Sequence, residues 1–234
     1  MVGVVDVFFH DIPLDNIAGV KITDITVAPI QWSSVARQRP IRAGADFVRQ
    51  VGGERQITMS FVLLDRDMEC RQESISAINA WLKTDAPARL VLPGYPGRYL
   101  MAICTECPEP YLREYWQELR AVWTCYDPYW QSMTEKSRDC GTAVKIGGSA
   151  PPYMRITDTL SASGDRTYSD GTDSMAFTGL AAGDLVIDLE KQTAEIGGVS
   201  CMDKISFAST FIIPHTGQMT ITGTGKVRWT ERWV

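Results

Sequence analysis

Residues able to do chemistry are few in this chain, and they are scattered. Its two histidines, His10 and His215, lie far apart, and neither has a Ser or Cys beside it. An imidazole acts as a general base only within hydrogen-bond reach of the proton it takes, and since such partners are neighbours in space the sequence leaves a triad open but does not point to one. Cys104 and Cys107 form a Cys-x-x-Cys pair. A structural zinc site needs four ligands, usually a second such pair, and none exists here. A redox pair of this spacing opens a helix, whereas this one ends a strand-like run. Cys125 would add a third thiol only if its strand paired with the one ending at Cys104. Asp184, Asp188 and Glu190 are close in sequence, but hairpin geometry alternates or exposes them. Glycoside cleavage needs two carboxylates facing each other across a cleft. The run SGDRTYSDGTDS has acids but lacks the spaced ligands and closing Glu of a calcium loop, so it reads as a solvated turn. Gly52-Gly53 and Gly197-Gly198 are turn residues, and there is no phosphate-cradle motif. The expectation is no catalytic residue, no metal, no cofactor and no enzyme.

Binding is better represented. Residues 31–55 hold five arginines, Arg37, Arg39, Arg42, Arg49 and Arg55, against Asp46 and Glu54. The segment has one Pro, three Gly and little periodicity, which predicts a long irregular loop. Such loops inside compact domains are often functional. The sharper expectation is an interface arm that orders on assembly, its Arg forks gripping carboxylates on a neighbour. Trp229-Thr230-Glu231-Arg232 places an aromatic ring and charges on one strand, as sugar-binding sandwiches do, but without the companion polar run. Carbohydrate binding at a host surface is therefore the alternative reading.

These residues sit in a chain of 234 residues with 44% hydrophobic and 22% charged content and a net charge of −5. That suffices for a sizeable core without disulfides. Residues 1–130 carry −3 and residues 131–234 carry −2, so neither half is a basic domain built to grip nucleic acid. No leader is legible at the start, and no apolar run is long enough to span a membrane. The six cysteines are read as free thiols, as in a protein made in a cytoplasm.

The positioning elements are mainly β. In the first half the pattern predicts strands at Val4–Phe9, Val20–Val27, Ile57–Leu64, Arg89–Leu92, Arg98–Thr105 and Leu119–Tyr126. Val62 and Leu64 suggest that the Ile57–Leu64 strand is covered on both sides near its end. One helix is expected over Met68–Lys83, with Asp67 as N-cap and Met68, Ile75, Ile78 and Leu82 on the buried stripe beside Trp81. Residues 131–150 are polar and end in Gly147-Gly148-Ser149, which reads as a linker between domains 1–130 and 151–234. The second half lacks helix periodicity. Short runs at Tyr153–Thr157, Ser174–Thr178, Leu185–Leu189, Thr193–Ile196, Ile205–Phe207, Phe211–Ile213, Met219–Thr222 and Lys226–Trp233 predict an antiparallel β-sandwich.

The order of these pieces resembles a known family. A β domain with one helix closes on Cys125-Tyr126-Asp127-Pro128-Tyr129-Trp130. An all-β domain then carries a Val-Ile-Asp…Ala-Glu-Ile-Gly-Gly hairpin at Val186–Gly198 and ends in Val227-Arg228-Trp229…Arg232-Trp233. This is similar to the distal tail proteins of siphophages, the phage tail component family. The resemblance implies an N-terminal belt domain and a galectin-like C-terminal sandwich without a sugar site. It also implies a homo-hexameric ring at the distal end of the tail, placed between the tail tube and the baseplate. Implied partners are the tail tube protein, the tail-associated hub protein, and in some members a receptor-binding protein or the tape measure.

Overall fold

The computed structural model describes residues 6–38, 45–64, 67–107 and 117–234. The chain divides into two compact units, Met1–Trp130 and Gln131–Val234. It is mainly β, with a single α-helix among the described residues.

The first unit is organised around one strand. β1 (Phe8–Phe9), β2 (Ile12–Pro13), β3 (Val20–Val27), β4 (Trp32–Gln38), β5 (Ala45–Gly52) and β6 (Arg55–Leu63) precede the helix α1 (Met68–Leu82). β7 (Ala88–Val91), β8 (Arg98–Glu106) and β9 (Gln117–Cys125) follow it. β6 pairs antiparallel with β3 on one side and β9 on the other, and β9 continues to β8. β8 pairs with β7, which leads to β1 and β2. Alternation along β6 buries Ile57, Met59, Phe61 and Leu63 on one face. Leu64 is 60% exposed, so β6 is not covered on both sides at its end as expected. A bulge at Thr23 shifts the phase of β3, putting Val20, Ile22, Ile25 and Val27 on its half-buried side.

The helix starts where the sequence predicts and stops one residue early, with Lys83 as C-cap donating to the Asn79 carbonyl. Asp67 occupies the N-cap in an extended conformation but makes no side-chain cap bond. Ile75, Ile78, Trp81 and Leu82 are buried, as are Arg71 and Ser74, while the Met68 side chain lies outside the described residues. Trp81 meets Phe9 and Trp123 edge-on at centroid distances of 5.7 and 6.1 Å. Its indole N–H donates to the Ile12 carbonyl at 3.0 Å, which gives this buried ring a polar partner.

The second unit corrects the linker. After β10 (Trp130–Ser132), the stretch 131–150 supplies β11 (Lys136–Asp139) and β12 (Val144–Ile146), and Val144 and Ile146 enter the core. β13 (Ala150–Leu160), β14 (Gly164–Ser169), β15 (Ser174–Leu180), β16 (Gly183–Asp188), β17 (Thr193–Ile196), β18 (Val199–Ser200), β19 (Gly217–Met219) and β20 (Lys226–Trp233) complete it. β18, β17, β16, β13, β20 and β11 pair in that order, all antiparallel. β12 pairs with β19 and β14 with β15, and the apolar faces of all three groups share one core. β14 lies within the stretch read from sequence as a loop. The candidates Ile205–Phe207 and Phe211–Ile213 are not strands. Ile205 makes only an isolated bridge to Phe177.

One buried carboxylate ties this sandwich together. Asp158 of β13 accepts hydrogen bonds from Tyr168 at 2.9 Å, from Arg166 at 3.2 Å, and from Thr224. Burial pushes its carboxyl up, but these three donors outweigh burial and hold it below the usual carboxylate range. A folded value below the ordinary 3.8 means the stabilisation is complete above that pH. It is lost as pH falls through the lower folded value. Asp158→Ala should cost about 2–3 kcal/mol at neutral pH by stranding buried donors. Urea unfolding as a function of pH should show the wild type converging on the variant only below the ordinary carboxylate range.

Candidate functional site

The polar residues singled out from sequence are mostly kept apart or already engaged. His10 lies in the first unit with its Nε2 against the Trp81 carbonyl at 3.2 Å, and His215 lies in the second with its Nδ1 against the Thr216 carbonyl at 2.9 Å. The Cys104 and Cys107 sulfurs are 3.7 Å apart. The strands of Cys104 and Cys125 do pair, but Cys104 stands opposite Trp123, and Cys125 stands opposite Arg55. No group of three metal-ligating side chains forms among the described residues. Burial pushes the Cys104 thiol and the Cys125 thiol each up to about 12, which leaves both protonated at neutral pH and poor as nucleophiles.

Asp188 accepts from the Tyr153 hydroxyl at 2.7 Å and from the backbone N–H groups of Glu190 and Lys191 at 3.1 and 2.9 Å. Glu190 is held by both terminal nitrogens of Arg232, at 2.5 and 3.0 Å. Both carboxylates are thus engaged by donors of the protein itself. Trp229 is 4% exposed and offers no ring to a sugar. Glu231 accepts from Lys136 at 2.6 Å and from the Gly147 backbone N–H at 2.9 Å. Asp170, in the acidic loop, folds its own turn by accepting from the backbone N–H groups of Thr172 and Asp173.

The arginine segment differs from its sequence reading. The long irregular loop predicted over 31–55 is instead a two-stranded ladder, β4 against β5, running from Trp32↔Gly52 to Gln38↔Ala45. Val48 is the extra residue of a bulge between the Val35↔Arg49 and Ala36↔Phe47 pairs. Arg37 and Arg49 are exposed on this ladder, and Arg37 stands opposite Asp46. Arg39 and Arg42 lie outside the described residues. Arg55 does not belong to the arm. It opens β6, is buried, and sets its guanidinium 5.9 Å from the centre of the Trp130 ring. Burial pulls its guanidinium below the usual value, against the opposing influence of Cys125 and Tyr95. Tyr95, from the Pro-Gly-Tyr-Pro-Gly turn, stacks on the same Trp130 at 3.9 Å.

Sequence reasoning missed the apolar character of this arm. Trp32, Val35, Phe47, Val48 and Val51 are all exposed, Phe47 at 67%. Cross-strand pairing puts Trp32, Ala36 and Phe47 on one face and Val35 and Val51 on the other. β4 and β5 pair only with each other among the described residues, so both outer edges are open as well. An isolated two-stranded hairpin is at best marginally stable in water, and exposed apolar patches of this kind mark interaction sites. The arm prolongs the β3–β6 pairing, since Val27↔Ile57 is followed by bonds from Ala28 N–H to the Gln56 carbonyl and from Gly53 N–H to the Gln31 carbonyl. β-branched and aromatic residues on both sides of Pro40–Gly44 were the available strand signal.

No protein-family profile and no curated protein matches the sequence. Solved structures do match. The fold is similar to the Dit protein of phage SPP1, a paradigm of the hub adsorption apparatus in phages that infect Gram-positive bacteria. The TM-score is 0.76 at 15% identity, over 98% of this chain and 99% of that one. A chain of the phage P2 baseplate in its activated conformation with calcium matches with a TM-score of 0.53 at 10% identity, over 95% of this chain and 92% of that one. The corresponding strontium structure gives 0.51 at 10% identity, over 94% and 92%. At these identities the likeness is one of fold.

The base of the arm is tightly set. A Cβ on Gly53 would come within 2.9 Å of the Gln31 backbone oxygen. Gly53→Ala should therefore loosen the arm without unfolding the unit. Hydrogen exchange of the β4 and β5 amides should rise, while that of the β6 and β9 amides should stay unchanged.

Proposed function

We propose that this chain is a structural subunit of a siphophage tail tip, of the distal tail kind, and that it acts by assembly and not by catalysis. The observation that carries the proposal is the likeness to the hub adsorption protein of phage SPP1 over the full length of both chains. The exposed arm supplies the physical means. Its five uncovered apolar side chains and two open edges are satisfied when a neighbouring subunit or tube covers them. In this reading the subunits close a homo-hexameric ring by rotation through one heterologous interface. The ring joins the tail tube to the baseplate in the virion, after synthesis in the host cytoplasm. Its neighbours would be the tail tube protein and the tail-associated hub protein, with a receptor-binding protein or the tape measure as further candidates.

The arginines take a secondary part. Arg37 and Arg49, with Arg39 and Arg42, orient the arm against carboxylates of the covering subunit, while the apolar residues supply most of the affinity. Arg55 drops out of this role, since it is buried at the root of β6.

Light scattering on a sizing column with negative-stain imaging tests this. The wild type should give a six-fold ring with an open centre, alone or on added tail tube. The triple variant Val35→Ser, Phe47→Ser, Val48→Ser should stay monomeric in both settings and keep its fold. Arg37→Ser with Arg39→Ser and Arg42→Ser should weaken ring formation less and make it less sensitive to salt. A wild type that stays monomeric on assembled tubes would refute the ring.

A further inference from the structure

The second unit carries a basic groove that the assembly reading does not use. It lies between β11 and β12 and has a volume of about 640 Å³. Lys136, Ser137 and Arg138 of β11 line it, with Lys145 of β12 and Trp229 of β20. Lys136 and Arg138 stand opposite Trp229 and Val227 in the β11–β20 ladder, so they share the face of those two core residues at the open margin of the sandwich.

Three cations therefore converge where one carboxylate answers them. Glu231 pairs with Lys136 at 2.6 Å. Arg138 and Lys145 have no ion-pair partner among the described residues. The buried Trp229 ring lines the same groove.

We propose that this groove is a binding site for a phosphate-type oxyanion carried on a small organic ligand. Phosphate has enough oxygens to accept from donors on two strands at once. The Arg138 fork matches two of them, and the lysines act as point charges. A carboxylate has only two oxygens and would satisfy one wall of the groove. The volume falls within the range of small-molecule sites and leaves room for an organic body beyond the anion. Charges on an edge strand also discourage unwanted strand pairing, which accounts for Lys136 and Arg138 on β11. That role would serve Lys145 on β12 as well, but it does not require charges from two separate sheets to line one groove.

Calorimetric titration of the full chain at constant ionic strength tests the site, with inorganic phosphate, pyrophosphate and acetate as probes. Phosphate and pyrophosphate should bind saturably with Kd of about 1 mM or tighter. Arg138→Gln and Lys145→Gln should each weaken pyrophosphate about tenfold, the equivalent of one charged hydrogen bond. Lys204→Gln, which alters an exposed lysine paired with Asp203 outside the groove, should change nothing. Thermal unfolding would verify that each variant is folded. Three results would overturn the proposal: no saturable heat with either phosphate probe, unchanged binding in the Arg138→Gln, Lys145→Gln double variant, or acetate binding as tightly as pyrophosphate.

Discussion

The register of β6 is the constraint from which the first unit takes its form. Ladders run along both of its sides, to β3 and to β9. A slip of one residue would turn Ile57, Met59, Phe61 and Leu63 to the other face and empty the core. The same register delivers Trp123 of β9 beside Phe61, and so builds the aromatic cluster on which Phe9 and Trp81 close. It also sets where the arm begins. β3 and β6 run on into β4 and β5, so the direction of the arm is inherited from the core ladder and is not chosen by a free loop.

The two units solve the problem of buried polarity differently. The first buries Arg55, Arg71, Ser74 and Thr124 but no carboxylate among its described residues, beside a cluster of packed aromatic rings. The second buries Asp158 and surrounds it with donors from β14 and from the turn before β20. It also holds Glu190 against Arg232 and Asp188 against Tyr153. Buried charges are tolerable only when paired or fully hydrogen-bonded. Several of the groups most suggestive of an active site in a linear reading are thus spent on architecture. Exposed apolar side chains lie on an arm of one unit, and two cations without an ion-pair partner among the described residues line a groove of the other. The first calls for a protein surface, the second for a small anion, and the two demands do not compete for the same residues.

Legibility in the sequence followed the strength of local periodicity. Period-two alternation marked β3, β6, β9, β13 and β20, and the stripe of Ile75, Ile78 and Leu82 marked the helix within one residue of its observed end. Short strands failed where polarity masked them. β11 is Lys-Ser-Arg-Asp and exposed along its length, so only its pairing with β20 makes it a strand. β14 hides among Gly, Ser and Asp for the same reason. Conversely, Phe211–Ile213 had strand-like composition but found no partner strand.

By itself the sequence determined the class of the protein: mostly β, with one amphipathic helix among the described residues. Composition and periodicity are local properties and need no neighbour to be read. Only the tertiary structure decided which side chains stay uncovered. It turned five scattered arginines into two exposed on an arm, one buried over Trp130, and two outside the described residues. It moved the emphasis of that segment from charge to Trp32, Val35, Phe47, Val48 and Val51. Exposure is a relation between distant parts of the chain, since a valine is buried or bare according to whether another element covers it. No pattern within the segment carries that information.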